Sequence, residues 1–383
     1  MIYILLLLVS TLVCAVSIPP IIRIAMTKRL FDVPLEARKV HKRLVPNLGG
    51  LGIILGVLFS YSLVADAHLF PNAGVILAAS LVISIIGLKD DLVGITPYKK
   101  FAAQFMAAFL VSVLADMRIT HLFGIFGIDE LSYFPSVLLT IFTIVGIINA
   151  FNLIDGIDGL AGGIALVVSA TYAILFYISD DLGWSYLACA LAGASIGFLI
   201  YNISPAKIFM GDTGALFIGF IVSLFSVRLL NTNYVKNDLL DITINTQIAP
   251  ALSIAILIIP LFDTLRVFTI RILNSESPFK ADRNHIHHKL LDIGFSHTKA
   301  TISLVSCNIF FIALVLFLQD IGNSQLMLTL VISVLLTNTA LTLYVNHKRE
   351  KLNKDRFGTN SKSDEMTMKK DLLSDVLEKI IHN

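Results

Sequence analysis

Uncharged apolar runs follow one another along almost the whole 383-residue chain, and they constrain its fold more than any other feature. The length of each run approaches the span of about 20 residues that a helix needs to cross the hydrocarbon core of a bilayer. Because helices satisfy all their backbone hydrogen bonds internally, the runs predict an all-α bundle of membrane-spanning helices. We place eleven spans, at residues 2–22, 48–65, 72–88, 101–115, 136–149, 160–178, 184–202, 213–227, 250–270, 300–318 and 326–345.

The scarcity of charge supports this interpretation. Only 15% of the residues are charged, whereas soluble domains have about 25%. The net charge of +2 excludes the basic face that nucleic-acid binding requires. The first apolar run lacks a basic start and a small-residue cleavage site, so we expect it to remain in place as a span.

The positions of Lys and Arg predict the orientation. The odd-numbered loops and the C-terminal tail hold 25 of the 29 basic residues. Since basic residues are retained on the cytoplasmic side, the N-terminus is predicted outside and the C-terminus inside. Residues 1–346 form one membrane domain, and residues 347–383 form a polar tail. Helical spacing of apolar residues beyond residue 366 indicates a short amphipathic helix that lies on the inner leaflet, pairs with a partner or is incidental.

Polar clusters stand at the predicted cytoplasmic edges of the spans. Ionisable groups at a membrane edge are costly unless they are paired or hydrated, so they suggest a functional site. Because all five clusters lie on one face, we expect them to share that site. They occupy residues 41–47, 89–91, 149–159 (NAFNLIDGIDG), 202–214 (NISPAKIFMGDTG) and 282–289 (DRNHIHHK).

Carboxylates dominate three of these clusters. Asp155 and Asp158 are three residues apart at a helix start, which puts them on one face. With Asp90, Asp91 and Asp212 they make up to five carboxylates, which repel one another unless a cation neutralises them. An all-oxygen ligand set suits Mg²⁺ or Mn²⁺. For Asp91 or Asp212 taken alone, capping of a helix N-terminus is the alternative.

Basic and aromatic residues suggest anion and base contacts. The dense donors of the last cluster are typical of a site that holds phosphate oxygens. These donors are His285, His287, His288, Arg283 and Lys289. Lys42, like the neighbouring Arg38, Lys39 and Arg43, is either a phosphate contact or a cytoplasmic anchor. Phe209 either stacks on a base or anchors the chain at the interface.

At these motifs the chain resembles the polyprenyl-phosphate N-acetylhexosamine-1-phosphate transferases, integral-membrane enzymes that begin cell-envelope glycan synthesis. The similarity extends from about Arg38 to Lys289, and the signatures Asp90-Asp91, NLIDGIDG, FMGDTG and HIHH occur in the family's order. The resemblance implies transfer of N-acetylhexosamine 1-phosphate, first of all GlcNAc 1-phosphate, from a UDP-sugar to undecaprenyl phosphate in the bacterial inner membrane. Ile286 interrupts the histidine run, which resembles the subgroup using simple UDP-sugars more than the muramoyl-pentapeptide enzymes.

The resemblance also implies residue roles. Asp212 with Asp155 holds Mg²⁺, or Mn²⁺, and the donor diphosphate. Asp90 is the base or positions the lipid phosphate, and Asp91 supports it. The histidines donate to the diphosphate, and attack through a covalent phosphate on Asp155 is a rival to direct attack. Substrate contacts fall on Lys42, Asn152, Asp158, Asn202, Phe209 and Arg283.

Two other classes of membrane protein share some of these features. An ion-coupled transporter also combines apolar helices with acids, but its acids belong near mid-bilayer. A CDP-alcohol phosphatidyltransferase also begins its motif with Asp-x-x-Asp-Gly, but Gly162-Gly163 stand where that motif continues with Ala-Arg. The sugar's identity and a homodimeric state are left open.

Overall fold

The computed structural model describes residues 1–30, 45–64, 70, 72–232, 235–237, 242–244, 246–277 and 284–351. Most of these residues are helical. The helices are α1 Ile2–Thr27, α2 Gly49–Ser62, α3 Ala73–Val93, α4 Pro97–Phe109, α5 Tyr133–Ile154, α6 Leu160–Ile178, α7 Leu182–Asn202, α8 Gly211–Leu230, α9 Ala249–Ile256, α10 Ile258–Leu273, α11 Ile286–Asp292, α12 His297–Phe317 and α13 Asn323–Lys351. Helix α4 continues into a π-helical turn, Leu110–Leu114.

Each of the eleven predicted spans coincides with one of these helices or with the α9–α10 pair. Within the described ranges, eight helices are long and apolar enough to cross a membrane, and the α9–α10 pair makes a ninth. Helices α2 and α4, with 14 and 13 residues, are shorter than a full span. The predicted spans 136–149 and 213–227 are too short, since α5 and α8 have 22 and 20 residues. The number of crossings therefore stays a prediction.

The ninth predicted span is broken between α9 and α10, whose axes meet at 78°. Pro260 has no N–H to donate to the carbonyl of Ile256, four residues earlier. Asn308 of α12 donates from Nδ2 to that carbonyl at 3.1 Å instead. The break is thus stabilised by a neighbouring helix, as freed backbone groups at membrane depth require.

Helix α8 lies at the centre of the bundle, and nearly all its side chains are buried. Helices α2, α3 and α5 pack directly against it. Gly50 approaches Gly214 so closely that a Cβ on Gly50 would overlap the Gly214 backbone. A Cβ on Gly87 of α3 would lie 2.7 Å from the Cα of Thr213. These glycines therefore allow α2 and α3 to meet the first turn of α8.

Two short strands depart from the all-α prediction. β1 Val235–Asn237 pairs antiparallel with β2 Ile242–Ile244 in the connection between α8 and α9. The predicted tail helix lies outside the described residues, as do Lys42 and Arg283 with their neighbours at 31–44 and 278–283.

Candidate active site

Asp91 joins the end of α3 to the beginning of α8. Its carboxylate accepts hydrogen bonds from the N–H groups of Asp212 and Thr213, each at 2.8 Å, and from the Thr213 hydroxyl at 2.6 Å. Asn47 donates a further bond at 3.3 Å. The alternative considered for Asp91, that it caps a helix N-terminus, is therefore what the structure has, with the cap supplied by another helix.

The segment before α2 pairs with the segment before α8. Phe209 N–H donates to the carbonyl of Pro46 at 2.8 Å, and Gly49 N–H donates to the carbonyl of Phe209 at 2.9 Å. Gly211 has φ +70°, and a Cβ there would overlap the carbonyl of Asn47. The half-buried Phe209 ring thus stands beside the site on a fixed backbone, and its stacking on a base stays a prediction.

Lys100 links two carboxylates that come from different helices. Its Nζ lies 3.1 Å from Asp90 Oδ2 and 2.7 Å from Asp212 Oδ1. The same ammonium donates to Asn152 Oδ1 at 3.4 Å, and Asn152 Nδ2 in turn donates to Asp212 Oδ1. We call Asp90, Asp155 and Asp212 the carboxylate cluster. The predicted Asn152 therefore contacts this cluster through Asp212.

Sequence reasoning missed Lys100, which it counted only as a cytoplasmic basic residue. A signal was present in the spacing of α4. Gln104, one turn after Lys100, is buried, whereas the adjacent Lys99 is exposed. Residues four apart on a helix share a face, so Lys100 belongs to the inward face of α4.

Asp155 completes the cluster just beyond the end of α5. It accepts a hydrogen bond from the N–H of Gly211. Burial, together with the charges of Asp212 and Asp91, raises the pKa of Asp155 to about 7. The Asp155 carboxyl thus lies beside the first turn of α8, where an added cation would favour its ionised form.

Asp158 and Asn202 occupy a different position from the cluster. Asp158 Oδ2 accepts from the N–H of Ala206 at 3.1 Å, and Asn202 Oδ1 accepts from the N–H of Gly159 at 2.9 Å. Asn202 also donates to the carbonyl of Ile208 at 2.8 Å. Both side chains are buried. They fasten the 155–159 loop to the 203–208 loop, and their contact with uridine stays a prediction.

The three histidines form one aromatic cluster at the start of α11. The rings of His285 and His287 stack with centroids 5.5 Å apart, and those of His287 and His288 are 4.3 Å apart. His287 packs against Gly156, where a Cβ would overlap its Nε2 atom. Burial lowers the pKa of His287 to about 3, so its ring is neutral. The histidine segment therefore adjoins the loop that carries Asp155.

The donor set fits a hard divalent cation at Asp212 and Asp155. Among the described residues, no three His, Cys, Asp or Glu side chains are arranged to hold a metal ion. Mg²⁺ commonly takes one or two protein carboxylates and completes its shell with substrate phosphates and water. The position of Lys100 between Asp90 and Asp212 marks the place where these carboxylates require positive charge.

The helices and the cluster define a multi-pass membrane protein with a charged site at one end of its bundle. Asp90 and Asp91 lie in the last turns of α3, and Asp155 directly follows α5. Lys100 and Asp212 lie in the first turns of α4 and α8. In the described part of the chain, acids and an ammonium thus meet where the membrane helices end. A charged site in this position suits anionic substrates at the membrane–water interface.

Comparison with known proteins gives the family. A model of glycosyl transferase family 4 matches residues 73–230, which include all five aspartates and end before the histidines. The chain is 32% identical to a probable undecaprenyl-phosphate N-acetylglucosaminyl 1-phosphate transferase of Bacillus subtilis, over 76% of this chain and 77% of that protein. It is 30% identical to the undecaprenyl-phosphate alpha-N-acetylglucosaminyl 1-phosphate transferase of Escherichia coli K12, over 73% of each.

A decaprenyl-phosphate N-acetylglucosaminephosphotransferase of Mycobacterium leprae is also 30% identical, over 69% of this chain and 71% of that protein. The chain belongs to glycosyl transferase family 4, in the group of polyprenyl-phosphate N-acetylhexosamine-1-phosphate transferases. The resemblance inferred from the sequence motifs is confirmed.

Proposed function

We propose that this protein transfers N-acetylglucosamine 1-phosphate from UDP-GlcNAc to undecaprenyl phosphate and releases UMP. This is the first step of a cell-envelope polysaccharide pathway, and we place it at the cytoplasmic face of the inner membrane. The names of the relatives support the reaction. The observation that carries it is the meeting of Asp90 and Asp212 at Lys100, beside Asp155, where the helices end.

The reaction exchanges one phosphoanhydride for another. An oxygen of the lipid phosphate attacks the sugar-linked phosphorus, and the bond from that phosphorus to the UMP oxygen breaks, so UMP leaves with the electron pair. At neutral pH the acceptor phosphate is already mostly ionised. It therefore needs positioning and charge neutralisation more than activation, which favours direct attack over a covalent enzyme intermediate.

The residues of the site divide this work. Lys100 supplies an ammonium to the phosphate oxygens, and Asp90 positions the acceptor and takes any remaining proton. Asp212 and Asp155 would hold Mg²⁺, which neutralises the donor diphosphate when bound. The histidines donate to the diphosphate from the side of Gly156. Asp91 holds the first turn of α8, and hence Asp212, in place.

The proposed orientation in the membrane rests on the distribution of basic residues among the loops. We assign the end with the carboxylate cluster to the cytoplasm because Lys and Arg concentrate in the connections at that end. The eleven-span topology includes the short helices α2 and α4. A transporter is less well supported, since the clustered acids of the described chain lie at helix ends, away from the middle of the bundle.

One assay tests the reaction. Purified protein is given undecaprenyl phosphate and a panel of UDP-sugars, with and without Mg²⁺, and UMP release is measured. We expect release with UDP-GlcNAc, dependence on the metal, and exchange of labelled UMP into UDP-GlcNAc. Movement of unaltered substrate into sealed vesicles without UMP release would instead support a transporter.

Two further measurements test the residue roles. Asp212→Ala should abolish turnover while the protein stays folded, and retained activity would remove its assignment to the metal. Incubation with the UDP-sugar alone should leave no phosphate on Asp155. A trapped phosphoenzyme would support the covalent scheme.

A further inference from the structure

Helix α10 buries a charged pair that the chemistry above does not use. Asp263 and Arg266 are one turn apart, with Arg266 Nη2 3.1 Å from Asp263 Oδ1. The same oxygen accepts the N–H of Ile286 at 3.0 Å, and Arg266 also donates to the carbonyl of Asn284. Asp263 is 2% exposed. This pair therefore anchors the backbone on both sides of His285.

The other oxygen of Asp263 contacts His285 itself. His285 Nδ1 lies 2.9 Å from Asp263 Oδ2. An ionised carboxylate only accepts hydrogen bonds, so Nδ1 must carry the hydrogen. Nε2 is then the ring nitrogen left for a ligand, and the tautomer is determined by the carboxylate behind the ring.

Ring contacts connect His285 to the loop beside the carboxylate cluster. His285 and His287 stack with an interplanar angle of 13°. His287 packs against Gly156, which is adjacent to Asp155 in the sequence. Asp263 thus contacts the first of two stacked rings, and the second ring contacts the loop that carries Asp155.

We propose that Asp263 is a positioning residue for the transfer reaction. It holds His285 as the Nδ1–H tautomer and directs Nε2 of that ring to the donor diphosphate. This inference deepens the proposed function and rests on its assignment of His285 to the diphosphate. It adds a residue from α10, outside the five polar clusters of the sequence.

Asp263→Asn tests the tautomer with almost no change of volume. The amide oxygen should take the Oδ1 position, because Ile286 N–H and Arg266 both donate there. The amide NH₂ then faces His285 Nδ1, which must become an acceptor, and the hydrogen moves to Nε2. A carboxylate-to-amide change that reverses a histidine tautomer in this way is known to impair catalysis severely.

The direct measurement is ¹⁵N NMR of the full chain in detergent with labelled histidine. His285 is assigned by the signals that disappear in His285→Gln. We expect Nδ1–H in the wild type and Nε2–H in Asp263→Asn, and the same tautomer in both would overturn the proposal. This readout does not require turnover, so it separates failure of the positioning role from failure of the proposed reaction.

Activity provides the second measurement. Asp263→Asn should lower kcat/KM for the UDP-sugar by about 10- to 100-fold. Asp181→Asn is the matched control, because Asp181 also pairs with an arginine, Arg228, at 2.6 Å but at the opposite end of the bundle. A tautomer change with wild-type kcat/KM would overturn the catalytic part of the proposal.

A variant of His285 covers the case in which Asp263→Asn does not fold. In His285→Asn the amide NH₂ can replace Nδ1–H toward Asp263, and no group replaces Nε2. We expect a folded protein whose melting temperature is below that of the wild type, because the stacking on His287 is lost, and a loss of kcat/KM of about 10- to 100-fold. Retained activity would show that Nε2 does not serve the reaction and would overturn the proposal.

Discussion

The ammonium of Lys100 lies 2.7 Å from Oδ1 of Asp212 and joins the first turn of α4 to the first turn of α8. Both side chains are mostly buried, with 16% and 26% of their surfaces exposed. A cation held in a partly desolvated position interacts more strongly with phosphate oxygens than one in water. Lys100 is therefore both a structural counter-ion for the carboxylates and a group ready to contact an anionic substrate.

We expect Lys100→Met to lower kcat by about 100- to 1,000-fold, because one preorganised charge is lost from the reacting phosphates. Methionine keeps most of the length of the side chain and removes its charge. UMP release by purified protein checks this. Lys99→Met is the matched control, since Lys99 is exposed on the same turn. Equal effects of the two substitutions would show that only the general charge of the loop matters.

Conversion to Asn should affect mainly the stability of the protein at Asp91 and mainly its kcat at the adjacent Asp90. Asp91→Asn removes an acceptor from the start of α8 and should lower the stability by about 1–2 kcal/mol. Asp90 accepts one backbone N–H, from Ile95 at 2.8 Å. Its ion-pair partner Lys100 keeps Asp212 as a second carboxylate, so Asp90→Asn should destabilise less. The Asp90→Asn substitution should instead lower kcat by about 100-fold, because Asp90 positions the acceptor phosphate.

Thermal unfolding and UMP release, measured on both variants, separate these roles. Each variant is the control for the other, because the two substitutions are chemically identical and one residue apart. An Asp91→Asn protein with wild-type stability would contradict the capping role that its four hydrogen bonds indicate.

Gly156→Ala should reduce activity while the protein remains folded. The new Cβ would overlap His287 Nε2 and displace a buried ring. Since His287 stacks on His285, the displacement alters two of the three histidines assigned to the diphosphate. We expect the KM for UDP-GlcNAc to rise and kcat to fall. In Gly163→Ala the nearest atom is Val305 Cγ2 at 3.1 Å, so this variant should retain activity.

The sequence predicted the positions of the helices because lipid demands long apolar runs, and it predicted the cluster of Asp90, Asp155 and Asp212 from motif order. The residues alone left open whether Asp91 supports Asp90 or caps a helix, because the two adjacent carboxylates look alike until the start of α8 lies against one of them. Asp158 was likewise counted among the five carboxylates, although the resemblance made it a substrate contact and not a metal ligand. Its backbone partner, the N–H of Ala206, is 48 residues away.

Lys100 and Asp263 were missed for a related reason. A lysine near a helix start is usually a cytoplasmic anchor, and an Asp-x-x-Arg pair on a helix is usually a local ion pair. Only packing shows that Lys100 meets Asp90 and Asp212. It also shows that Asp263 meets His285, 22 residues later in the chain. Periodicity identifies the face of a helix but not the helix that covers it.

The close contact between α2 and α8 gives the final prediction. A Cβ on Gly50 would overlap the backbone of Gly214, and backbone cannot rotate away as a side chain can. We expect Gly50→Ala to destabilise the protein by about 1–3 kcal/mol through overpacking. It should also reduce activity in the folded fraction, because the displaced α2 carries Asn47 away from Asp91. Gly146→Ala, with no atom within 4 Å of the new Cβ, is the control and should unfold at the wild-type temperature or above. If both variants unfold like the wild type, the approach of α2 to α8 is looser than the structure has it, and Asn47 then has no fixed place beside the site.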